Sequence, residues 1–500
     1  TKLQWLVDIT SEDLTQAVAK WLDESYYQLT LIPRSKKLKA KKDNADRSAL
    51  PALGDKAKLI FPEIQQAELN NGMKVHLVER HTVPYVRARL TFKGGVVAEQ
   101  GYPAGTSLFV SSLMKAKTDN FDKKELEEEL NELGGRVGIS RSLEWLTASS
   151  TMLKSNVDDT LELLAEVLQT AEYPEKAVSK KRDDTIDLMT PSSKARLFTE
   201  NLLKREIYGE GHPYAIQNMN YGTKDSVASI TRQHVIDYYQ NYIRPENGTI
   251  FIAGDTTMAE ILPLLNDHFG RWKVKTNAKP VPSIPTVKST TSAKVFLIDK
   301  PKAKQTKLNI AMLAPSYKVE DRLAFTLFVN ALGNGFTSRL SQNLREDKGW
   351  AYSAKASLSG GTGERMMRIS TSVQTDKSIE SINEIINELK QIASDKPVTS
   401  FEMDTIIAKK TASLPGAFAM TNSLLGSLLG NFQIDYPLDA VTTLEQRYKT
   451  VTEQQVQAAI AKYLQTDRFV WVIEGDLSKI EQGVRELGLG AVEIIDVDKE

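Results

Sequence analysis

The chain has 500 residues, 41% of them hydrophobic, with 64 basic and 64 acidic side chains, five histidines and no cysteine. At ~150 residues per domain this length predicts about three domains, or two large ones, and the apolar content suffices for packed cores, which excludes disorder as the main state. The balanced charge argues against sequence-independent binding to nucleic acid or anionic lipid, the missing cysteines exclude disulfides and thiolate chemistry, and no apolar run reaches the ~18 residues of a membrane span.

Three segments of the chain share one pattern at equal spacing. Each begins with a β-branched residue followed by Thr. A short helical pattern follows, which ends in Trp or Tyr and then Leu or Ile, and the next residues are β-rich. The segments start at Ile9, Ile230 and Val451, which are 221 residues apart in both cases (230 − 9 and 451 − 230). The Thr can cap the helix by accepting a hydrogen bond from a free backbone amide. Equal spacing of this kind indicates an internal repeat.

The starts of the repeats correspond as well. The run Lys74–Arg80 resembles Lys294–Lys300, and each is followed by the alternating pattern that is typical of a half-buried strand. Because a repeat that matches at both ends is one structural module, we expect two homologous units of roughly 220 residues, at 59–275 and 293–478.

The remaining segments are interpreted from their composition. Residues 1–34 match only the end of a repeat, so they are expected to be the tail of a preceding homologous domain, and 479–500 are expected to form a C-terminal tail. Residues 35–58, rich in Lys, and 276–292, which contain three Pro, are expected to be linkers. A basic docking segment is the alternative for 35–58, although charge runs are usually solvated.

Helical patterns follow the strands within each unit. Apolar residues recur at helical spacing in the stretch 161–168 and again in 379–389, as expected for one buried helix face. Pro174 and Pro397 follow these stretches and are expected to end the helices. Runs of strands followed by runs of helices predict an α+β fold, in which each unit is a mainly antiparallel sheet with helices packed on one face.

Five histidines are few enough to be assessed one at a time. They are His76, His81, His212, His234 and His268. No two of them have the spacing of a metal-binding helix face, so the local sequence predicts no metal site. His212 lies beside Pro213 and is interpreted as part of a turn. The sequence patterns of serine-hydrolase elbows and of phosphate-binding loops do not occur either.

Several short stretches of the first unit form an ordered set. They are Phe92–Gly95, Gly101–Gly105, Leu133–Gly135, Tyr208–Tyr214 and Ile230–Asp255. Each is a weak signal alone, but their order and spacing together are specific. With them the chain resembles the insulinase/pitrilysin group of zinc peptidases, whose zinc-binding helix carries an inverted His-x-x-Glu-His motif. The resemblance extends over both units and the partial repeat at 1–34.

The resemblance implies where the zinc ligands of an active domain would lie. Leu108 and Ser112 stand at the two His positions, Ser111 at the catalytic Glu, and Leu188, or Asp187 in a register shifted by one, at the third ligand. Leu108 and Leu188 have no donor atom, and Ser111 cannot replace a carboxylate as general base. The first unit is therefore expected to be a degenerate peptidase-like domain without a metal.

The second unit resembles the other signature of the family, an Arg and a Tyr seven positions apart in the half that faces the zinc site. Here these residues are Arg345 and Tyr352, and they are the expected catalytic contributions of this chain. A helix that ends at Gly349 and a strand that starts at Tyr352 would put both side chains at one corner, where they could bind a peptide carbonyl and its oxyanion. The alternative is a surface Arg and a core Tyr. Arg339 is a lesser candidate, more consistent with a structural or peptide-contacting role.

The resemblance implies the C-terminal, non-zinc half of a pitrilysin-like zinc metalloendopeptidase, which closes over a zinc-bearing half and contacts a peptide substrate. No cofactor is expected in this chain, zinc is expected in the other half, and the isolated chain is expected to be inactive. The alternative is a non-enzymatic scaffold or peptide-binding subunit with a peptidase fold. The implied partners are the zinc-bearing half and a peptide, with no nucleic acid and no membrane span. Cellular location stays open, with the bacterial periplasm preferred over the cytoplasm.

Overall fold

The computed structural model describes residues 8–22, 28–30, 57–189, 191–215, 222–273, 279–287 and 292–497. The chain divides into two compact units, 1–55 and 56–500. The predicted linker 35–58 lies outside the described residues apart from 57 and 58, and the predicted linker 276–292 is described in part. Among the described helices, none combines the length and the apolar character that a membrane span requires.

Residues 1–55 contribute one described helix, α1 (Ser11–Trp21). Thr10 caps this helix as predicted, because its hydroxyl oxygen accepts a hydrogen bond from the Asp13 amide at 3.2 Å, and the Asp13 carboxylate accepts one from the Thr10 amide at 2.9 Å. The apolar stripe of the helix is exposed and consists of Leu14, Val18 and Trp21.

Two six-stranded sheets form the framework of residues 56–500. The strands of the first sheet are, in chain order, β1 (Gln65–Glu68), β2 (Lys74–Glu79), β3 (Tyr85–Lys93), β4 (Arg136–Arg141), β5 (Trp145–Leu153) and β6 (Gly248–Gly254). Their order across the sheet is β1-β2-β6-β3-β5-β4. All neighbours are antiparallel except β2 and β6, which are parallel.

The second sheet repeats this arrangement. Its strands are β7 (Lys294–Asp299), β8 (Gln305–Ala314), β9 (Ala351–Ser359), β10 (Arg365–Gln374), β11 (Val470–Gly475) and β12 (Ala491–Ile495). Their order is β12-β7-β11-β8-β10-β9, and β7 is parallel to β11 just as β2 is to β6. The outer strand β12 comes from the predicted C-terminal tail and is parallel to β7, whereas β1 is antiparallel to β2. Apart from this outer strand, the two sheets share one topology.

Helices pack around both sheets. In the half that contains the first sheet they are α2 (Thr106–Leu113), α3 (Lys123–Glu132), α4 (Val157–Gln169), α5 (Glu175–Asp187), α6 (Pro191–Tyr208), α7 (Lys224–Ala228), α8 (Arg232–Tyr242) and α9 (Met258–His268). In the other half they are α10 (Arg322–Gly333), α11 (Arg339–Ser341), α12 (Ser378–Ala393), α13 (Ser400–Ala412), α14 (Leu414–Ala417), α15 (Thr421–Gln433), α16 (Leu444–Lys449), α17 (Glu453–Tyr463) and α18 (Leu477–Glu486).

The predicted helix faces are buried in the cores of the two halves. Leu161 and Leu164 on α4 belong to the core of the first sheet, and Ile382 and Ile385 on α12 to that of the second. The prediction of an α+β fold built from mainly antiparallel sheets with packed helices is therefore confirmed.

The other face of each sheet is covered by a helix from the opposite half. Helix α15 packs on the first sheet, where Leu424, Leu425 and Leu428 are buried against Val78 and Phe251. Helix α6 packs on the second sheet in a buried cluster that contains Leu202, Leu203, Ile207, Phe296, Val470 and Val472. Because each buried aliphatic side chain contributes ~1.5–3 kcal/mol, these exchanged helices join the two halves into one folding unit.

Candidate functional site

Arg345 and Tyr352 lie on either side of the tight connection between α11 and β9. Helix α11 continues without a break into a wider helical turn at Gln342–Asp347, and the buried Leu344 anchors this turn in the core. Gly349 then reverses the chain with a φ of +66°, a conformation that glycine adopts without strain. Strand β9 starts two residues later, so the spacing of seven residues spans the turn and returns Tyr352 to the vicinity of Arg345.

The two side chains are in contact distance. The guanidinium of Arg345 lies 5.5 Å from the centre of the Tyr352 ring and 4.5 Å from that of Phe336, within the range of cation–π attraction. Its Nε lies 3.4 Å from a carboxylate oxygen of Glu346. Tyr352 is 85% exposed, which is incompatible with the core role considered as the alternative, and Phe336 is 69% exposed. The structure therefore places both predicted residues together on an open surface.

Arg339 has a structural position instead. Its Nε and Nη2 donate to the two carboxylate oxygens of Glu402 at 2.7 and 2.8 Å, and its Nη1 and Nη2 donate to the carbonyls of Lys396 and Pro397. Burial acts to raise the pKa of Glu402, but the hydrogen bonds from Arg339 and Thr399 outweigh it, so this pKa lies below its ordinary value. Arg339 thus ties α11 to the start of α13.

A cavity of about 1020 Å³ lies beside the Arg345 and Tyr352 corner. Its walls come from α10, β9, α15 and the segment 434–448, and Arg345 and Tyr352 are part of its lining. A volume of this size is at the upper end of what small-molecule sites enclose and can admit a few residues of a peptide. The sequence does not predict it, because its walls come from segments more than 100 residues apart.

Helix α10 is the counterpart of α2 in the second half. Both contain the same apolar triplet, Leu327–Val329 in α10 and Leu108–Val110 in α2. This register puts Asn330 where α2 has Ser111, and Asn330 lines the cavity. Neither helix therefore presents a carboxylate at the position of the family's general base.

The positions implied for zinc in the first half do not fit a metal. On α2, Leu108 is half-buried, and the Ser111 hydroxyl donates to the Leu108 carbonyl at 3.1 Å. Leu188, at the end of α5, is 55% exposed. Throughout the described residues no group of three His, Cys, Asp or Glu side chains could hold a metal ion. Aliphatic side chains cannot ligate zinc, and hydroxyls are poor replacements for imidazole.

The start of α2 is fixed by a buried carboxylate that sequence reasoning missed. The amides of Gly105 and Ser107 both donate to Glu99 at 2.9 Å. Burial raises the pKa of Glu99, although these bonds and the nearby Arg141 oppose the rise. An acidic group at this place satisfies the free amides of the helix start, which is a structural role.

The histidines are dispersed in separate contacts. His212 lies in a turn, as predicted, and its Nδ1 accepts from the Tyr214 amide at 3.1 Å. His81 Nδ1 lies 2.7 Å from the Asp255 carboxylate. Neither contact resembles a site for chemistry.

Two family models match the chain. The Peptidase M16 inactive domain matches residues 229–410, and Insulinase (Peptidase family M16) matches residues 74–212. An uncharacterized zinc protease of Mycobacterium leprae is 23% identical over 393 residues, which cover 77% of this chain and 85% of the relative. An uncharacterized zinc protease of Bacillus subtilis is 23% identical over 368 residues, covering 72% of this chain and 86% of the relative.

Solved structures share the fold. A peptidase M16 inactive domain from Pseudomonas fluorescens superposes with a TM-score of 0.74 at 21% identity, over 83% of this chain and 98% of that one. The periplasmic protease PqqL from Escherichia coli gives a TM-score of 0.71 at 16% identity, over 86% of this chain but 49% of that one, so this chain spans about half of it. Both models describe one family and together match more than half of the chain, so the chain belongs to the insulinase family of peptidases, M16.

Proposed function

We propose that this chain is the C-terminal, non-zinc half of an M16 zinc metalloendopeptidase, which closes over a zinc-bearing half and supplies Arg345 and Tyr352 to the substrate. The observation that carries the proposal is the pairing of these two side chains at an exposed corner beside a large cavity. A permanently charged guanidinium can bind a peptide carbonyl, and a phenol can donate to the oxyanion formed by water attack.

The surroundings of Tyr352 support this role. Among the described residues, its hydroxyl has no hydrogen-bond partner, and its ring is held by Arg345 rather than by the core. A free donor on a rigid helix-to-strand corner is available to a ligand without first breaking an internal bond. A phenol with a purely structural function would usually be buried and paired.

The zinc-bearing half has to come from elsewhere. Because Leu108, Ser111 and Ser112 offer neither ligands nor a general base, the proposal assigns zinc, the attacking water and the base to the partner half. The isolated chain is then inactive. A periplasmic location is part of the proposal, supported only by the description of the E. coli protease as periplasmic.

Helix α1 supports a link to a preceding domain. Its exposed Leu14, Val18 and Trp21 stand at the positions of Val235, Tyr239 and Tyr242 in α8, all buried in the core of the first sheet. The same helix in a complete repeat therefore covers its own sheet. We propose that residues 1–34 end a preceding homologous domain, that 59–275 and 293–478 are the two complete domains, and that 35–58 and 276–292 link them.

A reconstitution experiment tests the proposal. The chain alone is expected to hold no stoichiometric zinc and to cleave no peptide, and the zinc-bearing half alone to be nearly inactive, whereas the two mixed together are expected to cleave. Metal analysis and cleavage of a fluorogenic peptide are the measurements. Zinc at one equivalent with turnover by this chain alone would overturn the assignment.

The second candidate is a non-enzymatic scaffold or peptide-binding subunit. It is favoured by the match to the M16 inactive domain and by the unfit zinc positions. Sequencing the gene upstream of Thr1 discriminates the two. A His-x-x-Glu-His motif in a preceding domain is expected for the enzyme, and a preceding domain without this motif would favour the scaffold.

A further inference from the structure

The cavity beside Arg345 and Tyr352 has a one-sided charge. Six cationic side chains of the described residues line it: Arg322, Arg345, Lys355, Arg365, Lys410 and Arg447. Within the described part of the chain, no Asp or Glu belongs to its lining. This excess contrasts with the chain as a whole, in which acidic and basic residues are equal in number. A concave surface with one sign of charge concentrates ligands of the opposite sign.

Three of the arginines converge at one end of the cavity. The guanidinium groups of Arg322 and Arg447 lie 4.1 and 5.7 Å from the centre of the same ring, that of Tyr436. Arg365 comes from β10 and lies 4.3 Å from the ring of Tyr317. Ring stacking satisfies the faces of these guanidinium groups and leaves their N–H edges to bind other groups.

The charges of the three arginines all act on one buried side chain, that of Tyr448. Burial raises the pKa of Tyr448, and Arg322, Arg447 and Arg365 all oppose this rise. Burial also lowers the pKa of Arg322, and the neighbouring charge of Arg447 lowers it further. Like charges are thus held close together in a partly desolvated site.

The cluster has hydrogen-bond donors to spare. Arg365 is only 3% exposed, and its Nε donates to the Pro315 carbonyl at 2.7 Å, but its Nη2 has no partner among the described residues. The Nη2 of Arg447 donates to the Ala440 carbonyl at 2.6 Å, and its buried Nε likewise lacks a partner. Buried donors are normally paired, and unpaired ones that line a cationic cavity are free to bind an anionic ligand.

Arg339 offers an internal comparison. The N–H groups of its guanidinium donate to the two carboxylate oxygens of Glu402 and to two backbone carbonyls. The same chain therefore pairs an arginine with a carboxylate where the function is structural. Among the described residues, no carboxylate belongs to the cavity lining that contains Arg322, Arg365 and Arg447.

The shape of the cavity favours a peptide as the carrier of the anion. Six consecutive residues of β9, Ser353–Leu358, line it, and since neighbouring residues of a strand point to opposite faces, the cavity follows the edge of this strand. Strand β9 is the outermost strand of its sheet. Edge strands bind extended peptides through main-chain hydrogen bonds.

We propose that Arg322, Arg365 and Arg447 bind a carboxylate of a peptide that lies along β9, next to the Arg345 and Tyr352 corner. The carboxylate is either the C-terminus of the peptide or an Asp or Glu side chain. The proposal rests on the proposed function only in taking a peptide as the source of the carboxylate. In the complete enzyme, this carboxylate-binding site would make the chain select acidic peptides or peptides of limited length.

Binding to the full chain tests this inference without any need for catalysis. Three fluorescent peptides of one neutral sequence are compared by anisotropy: one with a free C-terminal carboxylate, one with a C-terminal amide, and one amide with a single internal Glu. We expect the free acid, the Glu peptide or both to bind at least tenfold more tightly than the neutral amide. The member that binds identifies the source of the carboxylate.

Variants locate the site. Arg322→Gln and Arg447→Gln are expected to remove most of the preference for the carboxylate, and both residues are only half-buried, so these variants should fold. Arg485→Gln is the matched control, because Arg485 carries the same charge but lies on α18 and is not part of the cavity lining. Its Nε donates to the Glu481 carboxylate at 2.9 Å. Circular dichroism checks the fold of each variant.

Three outcomes would overturn the inference. They are equal affinity for all three peptides, a carboxylate preference that survives both arginine substitutions, and an equal loss of preference in Arg485→Gln. Tight binding of inorganic phosphate that depends on Arg322 and Arg447, with no preference among the peptides, would likewise replace the peptide by a small anion. A failure of the reconstituted halves to cleave would refute the proposed function while leaving this binding result intact.

Discussion

The guanidinium of Arg345 lies 5.5 Å from the ring centre of Tyr352, although one residue lies in a helical turn and the other near the start of a strand. The turn at Gly349 brings them together, and the buried Leu344 fixes the helical side of the corner. A charged group and a phenol donor are thus presented in a fixed relation on the outside of the fold. Such preorganisation is what an oxyanion-binding site requires.

Tyr352→Phe is expected to lower turnover of the complete enzyme by ~30- to 900-fold, because one oxyanion donor contributes about 2–4 kcal/mol to transition-state stabilisation. The melting temperature should stay unchanged, since the residue is 85% exposed. Steady-state cleavage by the reconstituted halves measures the effect. Tyr463→Phe is the control, since its hydroxyl donates to Asp321 in a structural bond. Wild-type turnover of Tyr352→Phe would remove this residue from the mechanism.

A double-substitution cycle tests whether Arg345 and Tyr352 act as one unit. If both bind the same carbonyl oxygen, Arg345→Gln combined with Tyr352→Phe should cost less than the sum of the single losses in kcat/KM. Additive losses, within about 0.5 kcal/mol, would mean that the two side chains bind separate parts of the substrate.

Substitution of Arg339 should lower the stability of the chain far more than substitution of Arg345. Arg339→Ala removes a paired and mostly buried guanidinium and leaves Glu402 without its cationic partner, so we expect the free energy of unfolding to fall by about 2–3 kcal/mol. Arg345→Ala should change it by less than about 0.5 kcal/mol, because its carboxylate contact, to Glu346, is at the surface. Urea denaturation is the measurement. The reverse ranking would exchange the roles given to the two arginines.

Local patterns in the sequence predict much of the fold. Apolar spacing in 161–168 predicts the buried face of α4, and Thr10 predicts the cap of α1. The Arg345 and Tyr352 corner is predictable as well, because the helical turn ends at Asp347 and the strand starts at Ala351, which leaves the connection little freedom. These features depend on interactions between near neighbours in the chain.

The exchange of helices between the halves is not predictable in this way. The apolar side of α15 indicates burial, but Leu424 and Leu428 carry no information about which sheet they cover. Similarly, Arg322, Arg365 and Arg447 are ordinary surface residues by local pattern, and only the tertiary fold gathers them around Tyr448. Contacts between distant segments need the complete topology.

Leu424→Ala is expected to destabilise the two sheets of this chain, and the helices packed on them, together. Its side chain is fully buried between α15 and the first sheet, so its loss should cost about 2–5 kcal/mol. Fluorescence of Trp145, near α15, and of Trp471, in the second sheet, should follow one urea transition when each is kept as the single tryptophan reporter. Leu153→Ala, at a 45% exposed position, is the control. Two separate transitions in the wild-type chain would show that the halves unfold independently.

His81 and His76 are expected to titrate on opposite sides of the ordinary histidine pKa of about 6.5. The hydrogen bond to Asp255, aided by Glu79, raises the pKa of His81, whereas burial lowers that of His76, which stacks on Phe251. The His81 contribution to stability is therefore present below about pH 6.5 and lost as the pH rises through its raised pKa. The His76 contribution is present above about pH 6.5 and lost as the pH falls through its lowered pKa. Histidine NMR titration measures both, with His81→Gln and His76→Gln identifying the signals. A His81 signal that titrates at a lower pH than His76 would contradict the proposed contacts.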